Sequence, residues 1–249
     1  MHPCSSLGQL AALLGLPGAL LGCSGVSVSD ESAQRLEPLA TGGNVGTVAC
    51  QVGVGDAPTD VVQFQNGLSV PGVVGAYAGT IDTYIESIHS ATNYGNSDSL
   101  ISKAGKSALL RFDLSSIPVG TQLRCATFGY YAQDPSFRDF SVYEVKQSWS
   151  EATATWQSYR AGSAWSAPGA TGTSDVGTRL LAVLSGSATN RYYAPISLAV
   201  VQSWVDDPLR NHGFIIVNRA ARDAINFASS ETTDPNTEIR PSLFVGYPH

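Results

Sequence analysis

The chain has 249 residues, of which 43% are hydrophobic and only 14% charged, and its formal net charge is −6. That length holds one large β domain or two small ones, and the hydrophobic share is enough to bury a core. With no basic stripe to neutralise phosphates, the acidic balance excludes a nucleic-acid footprint. It leaves neutral sugars open, and an anionic polymer open to a local basic cluster.

The first stretch stands apart from the rest. Residues 10–21 are mostly apolar and run into Leu20-Leu21-Gly22-Cys23. An apolar segment before a small-residue processing site reads as a secretory signal. The Leu-x-Gly-Cys ending resembles the lipobox of bacterial lipoproteins. That resemblance implies that residues 1–22 are removed and that Cys23 is lipidated. It also implies a domain held at the cell surface, on the outer membrane, through that lipid alone. One departure is that residues 1–7 contain no Lys or Arg, only His2. Gly15, Pro17, Gly18 and Gly22 interrupt the segment too often for a membrane span. Residues 24–44 are small and polar without apolar periodicity, which suits a flexible tether. With Cys4 gone and Cys23 committed, Cys50 and Cys125 remain. In an oxidising compartment they either pair or stay as two buried thiols.

The domain is placed at 61–249, after a tether at 23–60. Val62 and Phe64 alternate with polar residues, and Pro71-Gly72 turns the chain. Asp82-Thr83-Tyr84-Ile85 is a short strand. Residues 89–99 form an oxygen-rich loop. In 107–118 the residues Leu110, Phe112 and Leu114 fall on one side of a period-2 pattern, with Leu109, Arg111 and Asp113 on the other. This predicts a strand with one buried face and a charge, Arg111, in its middle. Further strands are predicted at 126–130, 142–145, 225–229 and 243–247, with a long small-residue loop at 158–177. Phe214-Ile215-Ile216-Val217 is continuously apolar, as in a strand buried on both faces. Leu198, Val201 and Val205 follow helical spacing, with Ser197 placed to cap and Pro208 to terminate. Many short strands, turn chemistry and one short helix predict an all-β fold, a β-sandwich of jelly-roll or Greek-key type.

Six stretches coincide in order with one family. They are Thr80-Ile81-Asp82-Thr83-Tyr84-Ile85, Thr92-Asn93-Tyr94-Gly95, 108–118, Ser148-Trp149-Ser150-Glu151 with Ala154-Thr155-Trp156, Val201-Gln202-Ser203-Trp204-Val205, and Phe227-Ala228-Ser229-Ser230-Glu231 followed by Arg240-Pro241-Ser242-Leu243. Over residues 61–247 the chain resembles the DNRLRE domain family, also grouped as carbohydrate-binding module family 96. The resemblance implies a secreted or surface-bound bacterial β-sandwich, in some members binding acidic polysaccharides. No enzyme domain accompanies it here, unlike the family's common arrangement.

No nucleophile–base pair, metal-hydrolase motif or phosphate loop is present, so the expectation is a binding domain and not an enzyme. The alternatives are a structural or adhesive surface domain without sugar affinity, and a polysaccharide lyase or hydrolase. Binding sugar calls for aromatic platforms, and an anionic sugar for Arg or Lys as well. The candidates are Tyr94 with Lys103 and Lys106, then Tyr159, Arg160 and Trp165, then Arg191 and Tyr192. For each aromatic the alternative is packing, the role assigned to Trp149, Trp156 and Trp204. No cofactor is implied. Calcium is the one ion for which oxygens are densely spaced, at 93–99 and at Asp234-x-Asn236-x-Glu238, where solvated turns are the plainer reading. Arg111 and Glu231 are expected to form a partly buried ion pair, because an unpaired charge in a sheet is costly.

Overall fold

The computed structural model of the chain describes Cys50 and residues 59–248; the signal-like segment, Cys23 and nearly all of the 23–60 tether lie outside the described residues. In chain order the strands are β1 (Thr59–Phe64), β2 (Thr80–Glu86), β3 (Ser99–Ser102), β4 (Lys106–Phe112), β5 (Cys125–Asp134), β6 (Ser136–Val145), β7 (Ser158–Arg160), β8 (Ser163–Ala164), β9 (Val176–Gly186), β10 (Asn190–Pro195), β11 (Phe214–Val217), β12 (Ile225–Ala228) and β13 (Ser242–Pro248). One α-helix, α1 (Leu198–Asp206), lies between β10 and β11.

One sheet runs β1-β13-β5-β12-β3, with β10 also paired to β5, and the other runs β2-β4-β11-β6-β9. All pairings in both are antiparallel. Gly129 pairs with both Tyr193 and Ser242, so β10 and β13 flank β5 on opposite edges. The orders β3-β12-β5-β10 and β4-β11-β6-β9 are those of a jelly roll, in which the chain crosses between sheets at most connections. β1, β2 and β13 extend that frame.

The core fills the space between the sheets. Ala108, Leu110 and Phe112 of β4 face it, and meet Phe128 of β5 and Phe214 of β11. Phe128 and Phe214 pack edge to face at 5.1 Å between ring centroids. Each such buried side chain contributes about 1.5–3 kcal/mol relative to exposure. A second apolar cluster covers the opposite face of the β2-β4-β11-β6-β9 sheet. Ile85, Leu109, Ile215 and Val217 project into it, and the 146–175 segment lays Trp149, Ala154, Trp165 and Ala170 over them. The apolar run Phe214–Val217 is therefore buried on both faces, as expected. Leu109 is also buried, so β4 has two covered faces and not one.

Some elements differ from expectation. Arg191 and Tyr192 lie in strand β10, and β10, β9 and β3 all occupy stretches where the sequence predicts no strand. β9 hides its signal because the register shifts twice between Phe140 and Val145 of its partner, which breaks the alternation. Ser197 stands at the N-cap of α1 without a side-chain bond. Its carbonyl instead accepts from Val200 and Val201 N–H. Cys50 and Cys125 are joined by a disulfide, with Cα atoms 5.6 Å apart.

Candidate functional site

Period-2 alternation along β2 puts Asp82, Tyr84 and Glu86 on one face. At the end of the strand Glu86 gathers three partners. Lys106 Nζ lies 2.8 Å from Oε1, His89 Nδ1 lies 3.0 Å from Oε2, and the Tyr94 hydroxyl donates to Oε2 at 2.7 Å. Burial alone would raise the Glu86 carboxyl, but the bonds from Lys106, His89 and Tyr94 outweigh it and hold it at about 2. Tyr94 stacks on Tyr84 with centroids 4.1 Å apart, and Lys106 Nζ stands 5.3 Å from the centre of the Tyr84 ring. Burial and the Glu86 carboxylate push the Tyr94 hydroxyl up to about 12. Lys103 and Lys106 flank a tight turn, closed by their reciprocal backbone bonds and by Gly105 at φ 77°. Tyr94, Lys103 and Lys106 are half-buried, while His89 and Ile88 are exposed beside them.

A second grouping lies further back along β2. One carboxylate oxygen from each of Asp82, Glu151 and Glu231 falls within 4.8 Å of the others. Glu151 Oε1 accepts from the Asp82 backbone N–H at 2.7 Å, and Asp82 Oδ2 accepts from Ser230 N–H at 2.8 Å. The Glu151 backbone is itself clamped. Asn93 Nδ2 donates to the carbonyls of Glu151 and Ala154, at 2.7 and 2.8 Å. Gly95 lies so close that a Cβ there would overlap the Glu151 carbonyl. Burial pushes the Asp82 carboxyl well up, and the neighbouring Glu231 carboxylate adds to the shift.

Of the predicted binding residues, Tyr94 and Lys106 meet at Glu86, and Lys103 pairs with Lys106 across the turn. Tyr159 and Arg160 sit on the small β7–β8 hairpin, with the guanidinium 5.5 Å from the centre of the Tyr159 ring. Trp165 is 4% exposed and its Nε1 donates to the Thr155 carbonyl, which makes it part of the outer cluster. Arg191 reaches Ser242 Oγ, Tyr193 Oη and the carbonyls of Glu238 and Arg240, tying β10 to the segment before β13. Tyr192 stacks on Tyr130 and bonds Ala188 through its hydroxyl. The two calcium candidates use their oxygens locally. Asn93 Oδ1 accepts from Gly95 N–H, Ser97 Oγ donates to the Ser99 carbonyl, and Asp234 and Asn236 accept from N–H groups two residues on.

The expected ion pair between Arg111 and Glu231 is not formed. Among the described residues the ion pairs are those of Glu86 with His89 and Lys106. Arg111 lies on the outer face of β4, opposite Ile81, in a cleft of about 400 Å³ lined also by Asp113, Trp204 and Asn211. Glu231 joins Asp82 instead. A larger cleft of about 550 Å³, lined by Tyr143, Asp139 and Arg219 among others, contains none of the predicted residues.

A jelly-roll sandwich that offers aromatic and basic side chains at one end has the make-up of a sugar-binding module. The family model of carbohydrate-binding module family 96 matches residues 76–245, and the chain belongs to that family. The search of curated proteins found no match. The matched range contains all three clustered carboxylates, the Asn93–Gly95 clamp and the tyrosine–lysine face.

Proposed function

We propose that this protein is a non-catalytic cell-surface domain that binds an acidic polysaccharide through the face formed by Tyr94, Lys103 and Lys106. The observation that carries this reading is the half-buried Tyr94 ring, stacked by one side on Tyr84, with Lys106 against the same Tyr84 ring and Lys103 paired with Lys106 across the turn. Pyranose rings pack on such aromatic surfaces, and ammonium groups bind sugar carboxylates. Lys106 is matched by Glu86, so Lys103 leaves a local positive excess on an otherwise acidic protein.

The same geometry speaks against Tyr94 as the base of a lyase. A tyrosine acting as base needs a hydroxyl that ionises easily. The Tyr94 hydroxyl is instead pushed up to about 12 and donates its proton to Glu86. The disulfide between Cys50 and Cys125 supports export to an oxidising compartment, in keeping with the lipobox-like segment that ends at Cys23.

The test is a glycan array probed with the purified protein, followed by incubation with each glycan retained. Retention of acidic polysaccharides without product release supports the reading. No retained glycan would leave the structural or adhesive alternative. Release of oligosaccharides would mean an enzyme.

A further inference from the structure

Asp82, Glu151 and Glu231 come from β2, from the segment after β6 and from the turn after β12. They are far apart in sequence, yet they converge. Three carboxylates in a partly buried space repel one another; the Arg111 charge partly offsets Glu151 from beyond ion-pair distance, and neither described ion pair involves any of the three. Asp82 is 1% exposed, and its Oδ1 is buried with no hydrogen-bond partner. Glu231 Oε2 is likewise buried and unpartnered. Glu151 and Glu231 are half-buried.

We propose that these three carboxylates bind one hard divalent cation, of which Ca²⁺ fits best. The donor set is all oxygen, with no His or Cys, which selects Ca²⁺ or Mg²⁺ over zinc and other transition metals. Oxygens bound to one Ca²⁺ at about 2.3–2.6 Å lie no more than about 5 Å apart, and these lie within 4.8 Å. Mg²⁺ demands a tighter octahedron at about 2.0–2.1 Å. Waters would complete the shell of about six to eight oxygens that Ca²⁺ takes. The ion's role follows from what it joins. It ties edge strand β2 of one sheet to the end of β12 of the other, and holds the Glu151 backbone on which Asn93 and Gly95 rest. Tyr94 lies between those two residues, so the ion also steadies the proposed sugar face. Ion binding itself does not depend on the sugar reading, and it is measured without sugar.

The test uses the full chain, stripped with EDTA and dialysed into metal-free buffer. Adding millimolar CaCl₂ should raise the thermal midpoint by about 5 °C or more, as expected for a ligand well above its Kd on a domain of this size. Mass-spectrometric metal analysis after gel filtration should find one Ca²⁺ per chain. Glu231→Gln, which keeps the side chain's shape, should stay folded by circular dichroism and lose both the shift and the bound ion. Asp82→Asn provides a second variant with the same expectation. No bound Ca²⁺ and no shift in the wild type would overturn the proposal, leaving a proton shared between Asp82 and Glu231. An undiminished shift in both variants would also overturn it, since the ion would then sit elsewhere.

Discussion

At the scale of single residues, two positions carry sharp consequences. Gly95 is a glycine because a Cβ there would overlap the Glu151 carbonyl. Gly95→Ala should therefore cost about 1–3 kcal/mol in denaturant unfolding, the usual cost of forcing an atom into a packed site. Glu86 makes a different prediction. Its folded pKa of about 2 lies below its ordinary 4.5. The bonds from Lys106, His89 and Tyr94 therefore stabilise the fold fully above about 4.5, and that contribution fades as pH falls towards 2. Glu86→Gln should lower the thermal midpoint at neutral pH and reduce its fall between those two values. Equal acid sensitivity in wild type and variant would contradict the assignment. Arg111 shows the limit of reasoning from charge alone. It looked as if it must be paired because it interrupts a strand, yet it lies on the face turned away from the core, beside a cleft. Glu231, its expected partner, lies with Asp82 instead.

At the scale of elements, the strongest patterns survive folding. Phe214–Val217 reads as a doubly buried strand and is one, because the 146–175 segment supplies a second apolar cluster over Ile215 and Val217. Leu198, Val201 and Val205 predict α1, and Pro208 stops it. β9 and β10 were not legible. β9 shifts register against β6, and β10 carries Asn190, Arg191 and Tyr193 on a strand that pairs with only one neighbour. A polar strand on a sheet edge looks like a loop in sequence. The disulfide belongs to this scale too. It links Cys50 to the first residue of β5 across a separation of 75 residues. Closing a loop of that length stabilises by about 4 kcal/mol in the chain-entropy account. Reduction, or replacement of both cysteines by serine, should lower unfolding stability by about 2–5 kcal/mol. An unchanged midpoint would mean that Cys50 adds nothing to the fold.

At the scale of the whole molecule, the jelly roll explains both what the sequence revealed and what it hid. Tyr94, Lys103 and Lys106 could be grouped in sequence because they lie in one short stretch; in the fold Lys103 and Lys106 pair across a tight turn, and Tyr94 and Lys106 share Glu86. The three carboxylates were not, because residues 82, 151 and 231 meet only once the sheets are stacked. A signal was nevertheless present: each of the three lies in a stretch shared with the family, and so do Asn93 and Gly95 that clamp them. Trp165 resembled a sugar platform for the opposite reason. A small-residue loop around a tryptophan looks exposed, whereas here the loop folds down and the indole becomes the lid of the outer cluster.

The most direct test of sugar binding at the Tyr94, Lys103 and Lys106 face is affinity electrophoresis in gels containing the acidic polysaccharide best retained on the array. Wild type should be retarded, and less so as salt rises, because ammonium–carboxylate attraction is screened. Tyr94→Ala and Lys103→Ala should each lose at least about tenfold in affinity, while Arg160→Ala on the separate hairpin should match wild type. Full retardation of both Tyr94→Ala and Lys103→Ala would contradict the account and move the binding site elsewhere on the sandwich.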